Sequence, residues 1–403
     1  MIETALVVGA GIAGCSAAIT LAERGVSVTL IEKQTEWRFA SSGIFVYSNG
    51  LVSLRDVGVL DEILAAGFAI QDGRNAYVDH LGKPITTTVY PSAEADVPPI
   101  LGIKRASMHR VLAMRLDELG VDIRLGTTVA TVDPGSPTRR ASVTLDDGTR
   151  AGYDLLLGAE GIRSPLRERV HPGLEPRKTG FAIWRSVHDR PTGVDTKIMA
   201  MGIGKRIGIM PISDNKLYIF GTVVEAQNRW YPPEEWPATM KATFAEFDGP
   251  IRRFLDEVSE GTEVLYTVVE EVAAPLPWHR GRVLLIGDAA HASTPFMGQG
   301  GAMAVEDAVV LGRMLDERFD DVPSLLAAFS ERRLPVCRFV QDGSRAVGEA
   351  GAIEDEASIA RRNAAMPQTA QRQVDDFYGQ LAKLQDASAV GSAGSARPRL
   401  PRR

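Results

Sequence analysis

Cysteine and histidine are scarce in this chain of 403 residues, and their scarcity excludes several kinds of site. The two cysteines, Cys15 and Cys337, stand far apart, and neither belongs to a CxxC pair. A disulfide framework or a zinc site is therefore not expected, and the pattern fits a reducing compartment. The six histidines form no closely spaced ligand pair, so we expect no metal site.

Basic charge and long apolar runs are lacking as well. The formal net charge is -6, whereas a protein that binds nucleic acid needs a basic surface, so we predict no nucleic-acid partner. No run of about 18 apolar residues occurs, and glycines interrupt the apolar start of the chain. We therefore predict a cytoplasmic protein with no membrane partner. Hydrophobic residues at 44% and charged residues at 24% indicate a globular protein of one large two-part domain or two domains.

A glycine-rich turn follows the first apolar run, "TALVVGAGIAG". The spacing is Gly9-x-Gly11-x-x-Gly14, a helical pattern comes next, and a second apolar run ends in Glu32. Gly9 allows the turn, Gly11 lets the backbone approach a pyrophosphate, and Gly14 lets helix and strand pack closely. A carboxylate at position 32 can accept hydrogen bonds from a ribose. These features predict a dinucleotide site and leave open whether it takes FAD or NAD.

Two further stretches fit the same ligand. "IKRASMHRVLAMRLDELG" predicts a helix capped by Ser107, with Arg105 just ahead of it and free to reach a phosphate. The stretches from Val121 to Leu145 alternate and predict a small β-meander, after which "DLLLG" returns to the central sheet. "VLLIGDAAHASTP" predicts a buried strand that ends near Asp288, at the edge where open α/β sheets bind ligands.

Three motifs together resemble the group A flavoprotein monooxygenases, whose type is para-hydroxybenzoate hydroxylase. They are "GAGIAG" (9–14), "GAEGIRSPLR" (158–167) and "GDAAHASTPFMGQGGAMAVEDA" (287–308). The resemblance covers about residues 1–350. The middle motif of that family reads Asp-Gly, whereas this chain has Glu160-Gly161.

The resemblance implies FAD as cofactor, with NADPH or NADH as co-substrate. Asp288 would meet the ribityl chain, Arg105 would lie near the pyrophosphate, and the glycine loop at 298–301 would lie against the isoalloxazine ring. The full set implied to bind FAD is Gly9, Gly11, Ala13, Gly14, Glu32, Lys33, Arg105, Val129, Asp288, Gly298, Gln299, Gly300 and Gly301.

Short strands predicted between residues 178 and 264 form an antiparallel sheet, which in the family lines the substrate pocket. "GKRIGIMPISDNKLY" resembles the corresponding stretch of FAD-dependent urate hydroxylases, which implies catalytic roles for Arg206 and Tyr218. A two-residue hairpin loop would place these side chains on opposite faces of the sheet, and a three-residue loop would place them on one face.

The predicted fold is mixed α/β, with a Rossmann-type FAD-binding domain and an interleaved antiparallel-sheet substrate domain. The FAD-binding domain takes residues 1–75, 98–177 and 265–350, and the substrate domain takes 76–97 and 178–264. A helical extension follows at 351–385, and the small, Gly/Ser/Pro-rich stretch 386–403 is expected to be disordered.

The family chemistry implies a single-component hydroxylase that uses NAD(P)H and O2 to hydroxylate an aromatic or N-heteroaromatic ring through a flavin hydroperoxide. Its partners would be a small aromatic substrate, O2 and NAD(P)H, and it would be a monomer or homodimer. Two alternatives remain open. One is an epoxidase, ring-opening oxygenase or reductase on the same scaffold. The other is a flavin-binding sensor without turnover, which only Glu160 favours.

Overall fold

The computed structural model describes residues 2–37 and 42–389. The strands are β1 Thr4–Val8, β2 Ser27–Glu32, β3 Gly43–Tyr47, β4 Phe68–Ile70, β5 Arg74–Asp79, β6 Pro84–Val89, β7 Ile100–Lys104, β8 Asp122–Leu125, β9 Val129–Asp133, β10 Ala141–Leu145, β11 Arg150–Tyr153, β12 Leu155–Gly158, β13 Arg177–Asp189, β14 Lys197–Met201, β15 Lys205–Pro211, β16 Lys216–Val224, β17 Val264–Glu271, β18 His279–Arg280 and β19 Val283–Leu285. The helices are α1 Ile12–Ala22, α2 Ser48–Asp56, α3 Leu60–Ala66, α4 Arg105–Glu118, α5 Pro165–Val170, α6 Trp236–Thr243, α7 Arg252–Glu257, α8 Asp288–His291, α9 Gly300–Met314, α10 Val322–Gly351 and α11 Glu356–Ala389.

A parallel sheet with the order β18-β19-β12-β1-β2-β8 forms the first layer, and β18 pairs antiparallel at its edge. Strands β1 and β12 are almost wholly buried, which agrees with their continuous apolar sequences. Helices α1 and α9 pack against each other beside the sheet. The carboxyl ends of β1, β2, β12 and β19 therefore lie at one edge, which confirms the predicted Rossmann-type half.

Strand β8 corrects the predicted meander. It pairs in parallel with β2, with Glu32 opposite Leu125, whereas only β9, β10 and β11 form the small antiparallel sheet. The sequence of β8 alternates because the strand lies at the sheet edge, where one face is exposed to solvent. The preceding helix α4 makes the crossover that a parallel strand requires.

The second layer is a seven-stranded sheet with the order β17-β13-β16-β15-β14-β5-β6. Neighbours pair antiparallel except β14 and β5, which are parallel. One face packs against α6 and α7. The other face, called here the pocket face, packs against β3, β7 and helices α9 to α11. Both predicted kinds of sheet are therefore present.

Helix α11 covers part of the pocket face. It packs against β6 and α10 and buries Tyr378 and Leu381. The helix continues to Ala389, so the disorder predicted from residue 386 is wrong for 386–389, where buried Ser388 still belongs to the packed helix. The prediction for 390–403 lies outside the described residues. No described helix combines the length and the apolar character needed to cross a bilayer.

Candidate active site

In the glycine turn after β1, Gly9 and Gly14 are tightly packed and Gly11 faces open space. A Cβ on Gly14 would lie 1.9 Å from the Gly9 carbonyl oxygen, so Gly14 permits the close approach of α1. Gly9 has a φ of +100°, which requires glycine. A Cβ on Gly11 would meet nothing within 4 Å. Gly11 and Ala13 face a cleft of about 380 Å³, at the helix end where backbone N–H groups favour an anion.

This large cleft lies between the two layers. From the first layer come Gly11, Asp288, Gly298 and Gly301, and from the pocket face of the seven-stranded sheet come Ile183, Arg185, Tyr218, Phe220, Thr267 and Val269. Backbone that carries little side chain therefore faces a wall of aromatic and aliphatic groups. A flat ring can lie between them.

A second, small cavity of about 230 Å³ adjoins the large cleft. Glu32 lines it, and its carboxylate accepts hydrogen bonds from the backbone N–H groups of Ala10 (2.9 Å) and Gln34 (3.0 Å). Lys33 is exposed and is not among the described residues that line either cavity; Gln34 lines the small cavity instead. Sequence reasoning also missed Trp37 and His109, which complete its wall.

Arg105 lies where the two cavities meet. It is exposed, and it lines both the large cleft and the small cavity, as Gly11 does. Helix α4 begins at Arg105 itself with no side-chain cap, so the predicted cap at Ser107 is wrong. Strand β7 ends at Lys104 and α4 begins at the next residue, so Ser107 lies inside the first turn of the helix and not before it. Val129 starts β9 and is not among the described residues lining either cavity.

Asp288 projects into the large cleft from the first turn of α8. The turn before it is held by a buried carboxylate, since Asp307 accepts a hydrogen bond from the Gly287 N–H (2.8 Å). Asp307 also bonds His291 Nε2 (2.7 Å) and Arg333 Nε (2.7 Å). Burial would raise the pKa of Asp307, but the charges of His291 and Arg333 outweigh it and lower the pKa to about 2. An ionised buried network therefore positions Asp288.

The loop at 298–301 is bare and tightly supported. Gly298 has a φ of +66°, and a Cβ there would lie 2.1 Å from a Phe45 ring carbon. Gly300 and Gly301 line the large cleft at the start of α9. The Gln299 side chain is buried and points away, bonding Asn49 (2.9 Å) and the Tyr378 hydroxyl (3.3 Å). The loop thus offers backbone to a flat ligand, while its one long side chain anchors it.

Glu160, the residue that departs from the family motif, has a structural role. Its carboxylate accepts hydrogen bonds from the Ser164 hydroxyl (2.7 Å) and the Leu166 N–H (3.2 Å) at the start of α5. Burial raises the pKa of this carboxyl above its usual value, although these hydrogen bonds oppose the shift. Its extra methylene lets the acid reach the helix. The neighbouring Gly161 lines the large cleft.

Arg206 and Tyr218 lie on the pocket face at different depths. Tyr218 lines the large cleft, and burial raises the pKa of its hydroxyl, which stays protonated as a donor. Arg206 is 6% exposed and lies behind Phe296, whose carbonyl it contacts at 3.5 Å. The Arg206 guanidinium lies 5.3 Å from the centroid of the Phe296 ring. The structure does not bring the two side chains together at one point.

Sequence reasoning also missed a lysine on this face. Lys197 is buried at the start of β14, and its Nζ donates a hydrogen bond to the Tyr47 hydroxyl (2.9 Å). The same Nζ lies 4.5 Å from the centroid of the Phe45 ring. The only signal in the sequence was a lysine as the first residue of an otherwise apolar strand, "KIMAM". A lysine in that position is normally taken for an exposed strand end.

The two cavities fit FAD. They meet at Gly11 and Arg105, beside the amino end of α1, so a pyrophosphate there would place one half of a dinucleotide in each. Glu32 stands in the small cavity, where the ADP ribose belongs, and Asp288 and the bare 298–301 loop border the large cleft. A charged phosphate, a hydroxylated sugar and a flat ring each meet the chemistry they need.

Comparison with known proteins agrees with this geometry. Residues 3–344 match the family described as FAD binding domain. The chain is 34% identical over 367 residues to 2-heptyl-3-hydroxy-4(1H)-quinolone synthase of Pseudomonas aeruginosa, a match that covers 89% of this chain and 92% of that protein. It is 32% identical over 338 residues to FAD-dependent urate hydroxylase of Mycolicibacterium vanbaalenii, covering 81% and 83%.

A solved structure shows that the fold is similar as well as the sequence. Klebsiella pneumoniae HpxO complexed with FAD and uric acid matches with a TM-score of 0.82 at 25% identity, covering 94% of this chain and 97% of that one. The predicted cofactor and enzyme class are therefore confirmed. The chain belongs to the FAD-binding-domain family and is a flavoprotein aromatic monooxygenase of the para-hydroxybenzoate hydroxylase type.

Proposed function

We propose that this enzyme uses NADH or NADPH and O2 to hydroxylate a small N-heteroaromatic or phenolic ring held against the pocket face. The observation that carries the proposal is the large cleft, in which bare backbone at 298–301 faces Tyr218 and Phe220. The names of two relatives refer to a quinolone and to urate, both nitrogen-containing rings. A cytoplasmic location and a monomeric or homodimeric state are part of the same proposal.

FAD, when bound in the cleft, would supply the redox chemistry: acceptance of hydride from the nicotinamide and activation of O2. The chain's own residues bind and orient the ring. Tyr218 donates its hydroxyl proton toward a substrate oxygen or nitrogen, which fixes the ring plane. The apolar side chains of Phe45, Ile183 and Phe220 exclude water from the reacting atoms. The backbone at Gly300, at the start of α9, would favour negative charge on a flavin ring held there.

Arg206 is not among the described residues that line the large cleft, so its role is to present a positive charge to the substrate and not to contact the flavin. Its guanidinium is fixed by Thr222 Oγ1 (3.3 Å) and the Phe296 carbonyl, and it has five donors in a rigid plane. A substrate that reaches past Phe296 with an acceptor group would be oriented by it. The alternative of a flavin-binding sensor had Glu160 as its support, and the hydrogen bonds of Glu160 to α5 give that residue a structural reason.

The test is turnover of the purified protein. We expect a yellow protein whose oxidation of NADPH or NADH rises at least tenfold when a matching ring is added, and a product that gains one oxygen with the ring intact. A mass gain of two hydrogens would instead identify a reductase, and a cleaved ring a ring-opening oxygenase. A flavin-loaded protein that oxidises neither nucleotide with any phenol or N-heteroaromatic ring would overturn the proposal.

A further inference from the structure

Lys197 is a buried cation without a counterion among the described residues. Its residue exposure is 4%, and its Nζ contacts the Tyr47 hydroxyl and lies 5.5 Å from the centroids of the Tyr47 and Tyr90 rings. None of the ion pairs formed by the described residues includes Lys197, and burial, followed by the charge of Arg206, lowers the pKa of Lys197 to about 7. Removing an ammonium group from water without a paired anion is costly.

Arg206 repeats the arrangement on the neighbouring strand. Lys197 on β14 and Arg206 on β15 face the same side, because Arg206 pairs with Met201, four residues after Lys197. Burial lowers the pKa of Arg206 as well, and the nearby side chains that oppose the shift are Tyr77, Tyr90 and Tyr47. Within the described chain, then, two buried positive groups share one pocket face with tyrosine hydroxyls around them and no acid between them.

Unpaired polar atoms continue the row beside Lys197. Asn75 on β5 is the register partner of Lys197, and Thr88 on β6 is the register partner of Asn75, so the three side chains share a face. Asn75 is 1% exposed and Thr88 is 0% exposed. Both side-chain atoms of the Asn75 amide and the Thr88 hydroxyl lack a hydrogen-bond partner. Unsatisfied buried groups beside an uncompensated cation indicate a place for a polar ligand.

One side chain separates this row from the large cleft. Phe45 lines the cleft, and the Lys197 Nζ lies 4.5 Å from its ring centroid. The Phe45 ring also packs against Gly298 of the glycine loop and against Phe220, whose ring centroid is 5.3 Å away. A substituent of a ring in the cleft that passes the Phe45 ring would reach Lys197, whereas Arg206 lies four strand positions further along the sheet.

We propose that Lys197, with the Asn75 amide beside it, forms a buried anion subsite of the substrate pocket, so that the substrate is an aromatic ring carrying a carboxylate or an ionised ring oxygen. The inference rests on the proposed function and adds the charge of the substrate. An anion there would neutralise the lysine, and the Asn75 amide and the Tyr47 hydroxyl would donate hydrogen bonds to it.

Calorimetric titration of the flavin-loaded protein tests the subsite without requiring turnover. The probes are 4-hydroxybenzoate, with its charge on a carboxylate, 2,4-dinitrophenolate, with its charge on a ring oxygen, and the neutral 4-hydroxybenzamide. At about pH 6.5 both anions are ionised and Lys197 is mainly protonated. We expect at least one anion to bind tenfold or more tightly than the amide, and the tighter anion identifies the chemical group.

Variants assign the preference to Lys197. Lys197→Met keeps the length of the side chain and removes the charge, so the preference for the anion should fall below about threefold, a loss of roughly 0.7 kcal/mol or more. Lys197→Arg should retain it. Lys205→Met is the matched control, because Lys205 lies on the adjacent strand and pairs with Glu246 (2.8 Å). An unchanged preference in Lys197→Met, or no preference for any anion in the native protein, would overturn the subsite.

The two proposals fail separately. Nucleotide oxidation that only neutral rings stimulate would keep the proposed hydroxylase and overturn the anion subsite. Anion binding that depends on Lys197, in a protein that oxidises neither NADH nor NADPH, would keep the subsite and overturn the hydroxylase.

Discussion

Arg206 and Tyr218 face the same side of the seven-stranded sheet although twelve residues separate them. Arg206 pairs with Thr222 and Tyr218 pairs with Met210. Just past the end of β15 the Ile212 N–H donates to the Lys216 carbonyl (3.0 Å), so three residues, 213–215, close the hairpin. Four strand positions separate the two side chains along the sheet, which corresponds to about 13 Å. They can therefore act on opposite ends of one substrate, with Tyr218 in the cleft and Arg206 behind Phe296.

Arg206→Ala should raise the KM of a stimulating substrate by about 30-fold or more, because truncating one partner of a buried charged contact costs about 2 kcal/mol or more. FAD should stay bound, since Arg206 is not among the described residues lining the large cleft. Steady-state kinetics and the visible spectrum check both statements. Tyr218→Phe is the comparison, and we expect it to lower kcat more than it raises KM. An unchanged KM in Arg206→Ala would return Arg206 to a packing role.

Glu32→Gln should weaken FAD binding. The carboxylate accepts two backbone N–H groups and lines the small cavity, and a charge-assisted hydrogen bond contributes about 1.5–3 kcal/mol, which corresponds to about 10- to 100-fold in Kd. Flavin fluorescence after dilution measures the Kd. Lys33→Gln is the control at the next residue, which is exposed and lies away from the cavity, and it should bind FAD as the native protein does. Equal flavin occupancy in both variants would contradict the role of Glu32 in binding the ribose.

Gly298→Ala should lower both stability and flavin occupancy. The left-handed backbone alone costs an alanine about 1–3 kcal/mol, and the new Cβ would overlap the Phe45 ring. Thermal unfolding and the ratio of flavin to protein absorbance are the measurements. Gly379→Ala is the matched control, because a Cβ in the middle of α11 meets nothing within 4 Å, and an added methyl in a helix stabilises by up to about 1 kcal/mol. A native-like Gly298→Ala protein would show that the loop can shift.

Asp307→Asn should destabilise the protein by about 3–5 kcal/mol, because it leaves His291 and Arg333 buried with one carboxylate fewer. Urea unfolding measures the loss. Asp133→Asn, which breaks the exposed contact with Arg139, should leave the midpoint unchanged within error. Equal effects of the two substitutions would contradict a charged network at Asp307.

The same carboxylate gives the native protein a defined response to acid. The folded pKa of Asp307 is about 2, below the unfolded value of about 3.9. Its contribution is therefore fully present above about pH 4 and is lost as the pH falls through about 2. Urea unfolding at a series of acidic pH values should show this loss in the native protein and a smaller one in Asp307→Asn.

Local patterns were sufficient to predict the dinucleotide half. Gly9, Gly11, Gly14 and Glu32 are placed by one turn and the strand that follows, so their spacing carries the geometry. Strand β8 was misplaced because an edge strand of a parallel sheet and a strand of a meander have the same alternating sequence. The cap at Ser107 was wrong because α4 starts directly from β7.

The pocket face was harder to predict because its chemistry is assembled from distant elements. Lys197 contacts tyrosines that come from the end of β3 and from the segment after β6, which no window around residue 197 contains. The shared face of Arg206 and Tyr218 depended on the length of one loop, and the sequence allowed both lengths. Asn75 and Thr88 could be recognised only from the structure, in which their buried side-chain polar atoms have no hydrogen-bond partners.

The anchoring of Gln299 bears on how the protein is made. Its side chain joins Asn49, 250 residues earlier, to Tyr378, 79 residues later. During synthesis Asn49 and Gln299 leave the ribosome before Tyr378 does, so the nascent enzyme carries a finished phosphate turn before it carries a finished ring site. A chain that stops short of Tyr378 would keep every glycine of the loop and lose the hydroxyl that helps to hold the loop in place.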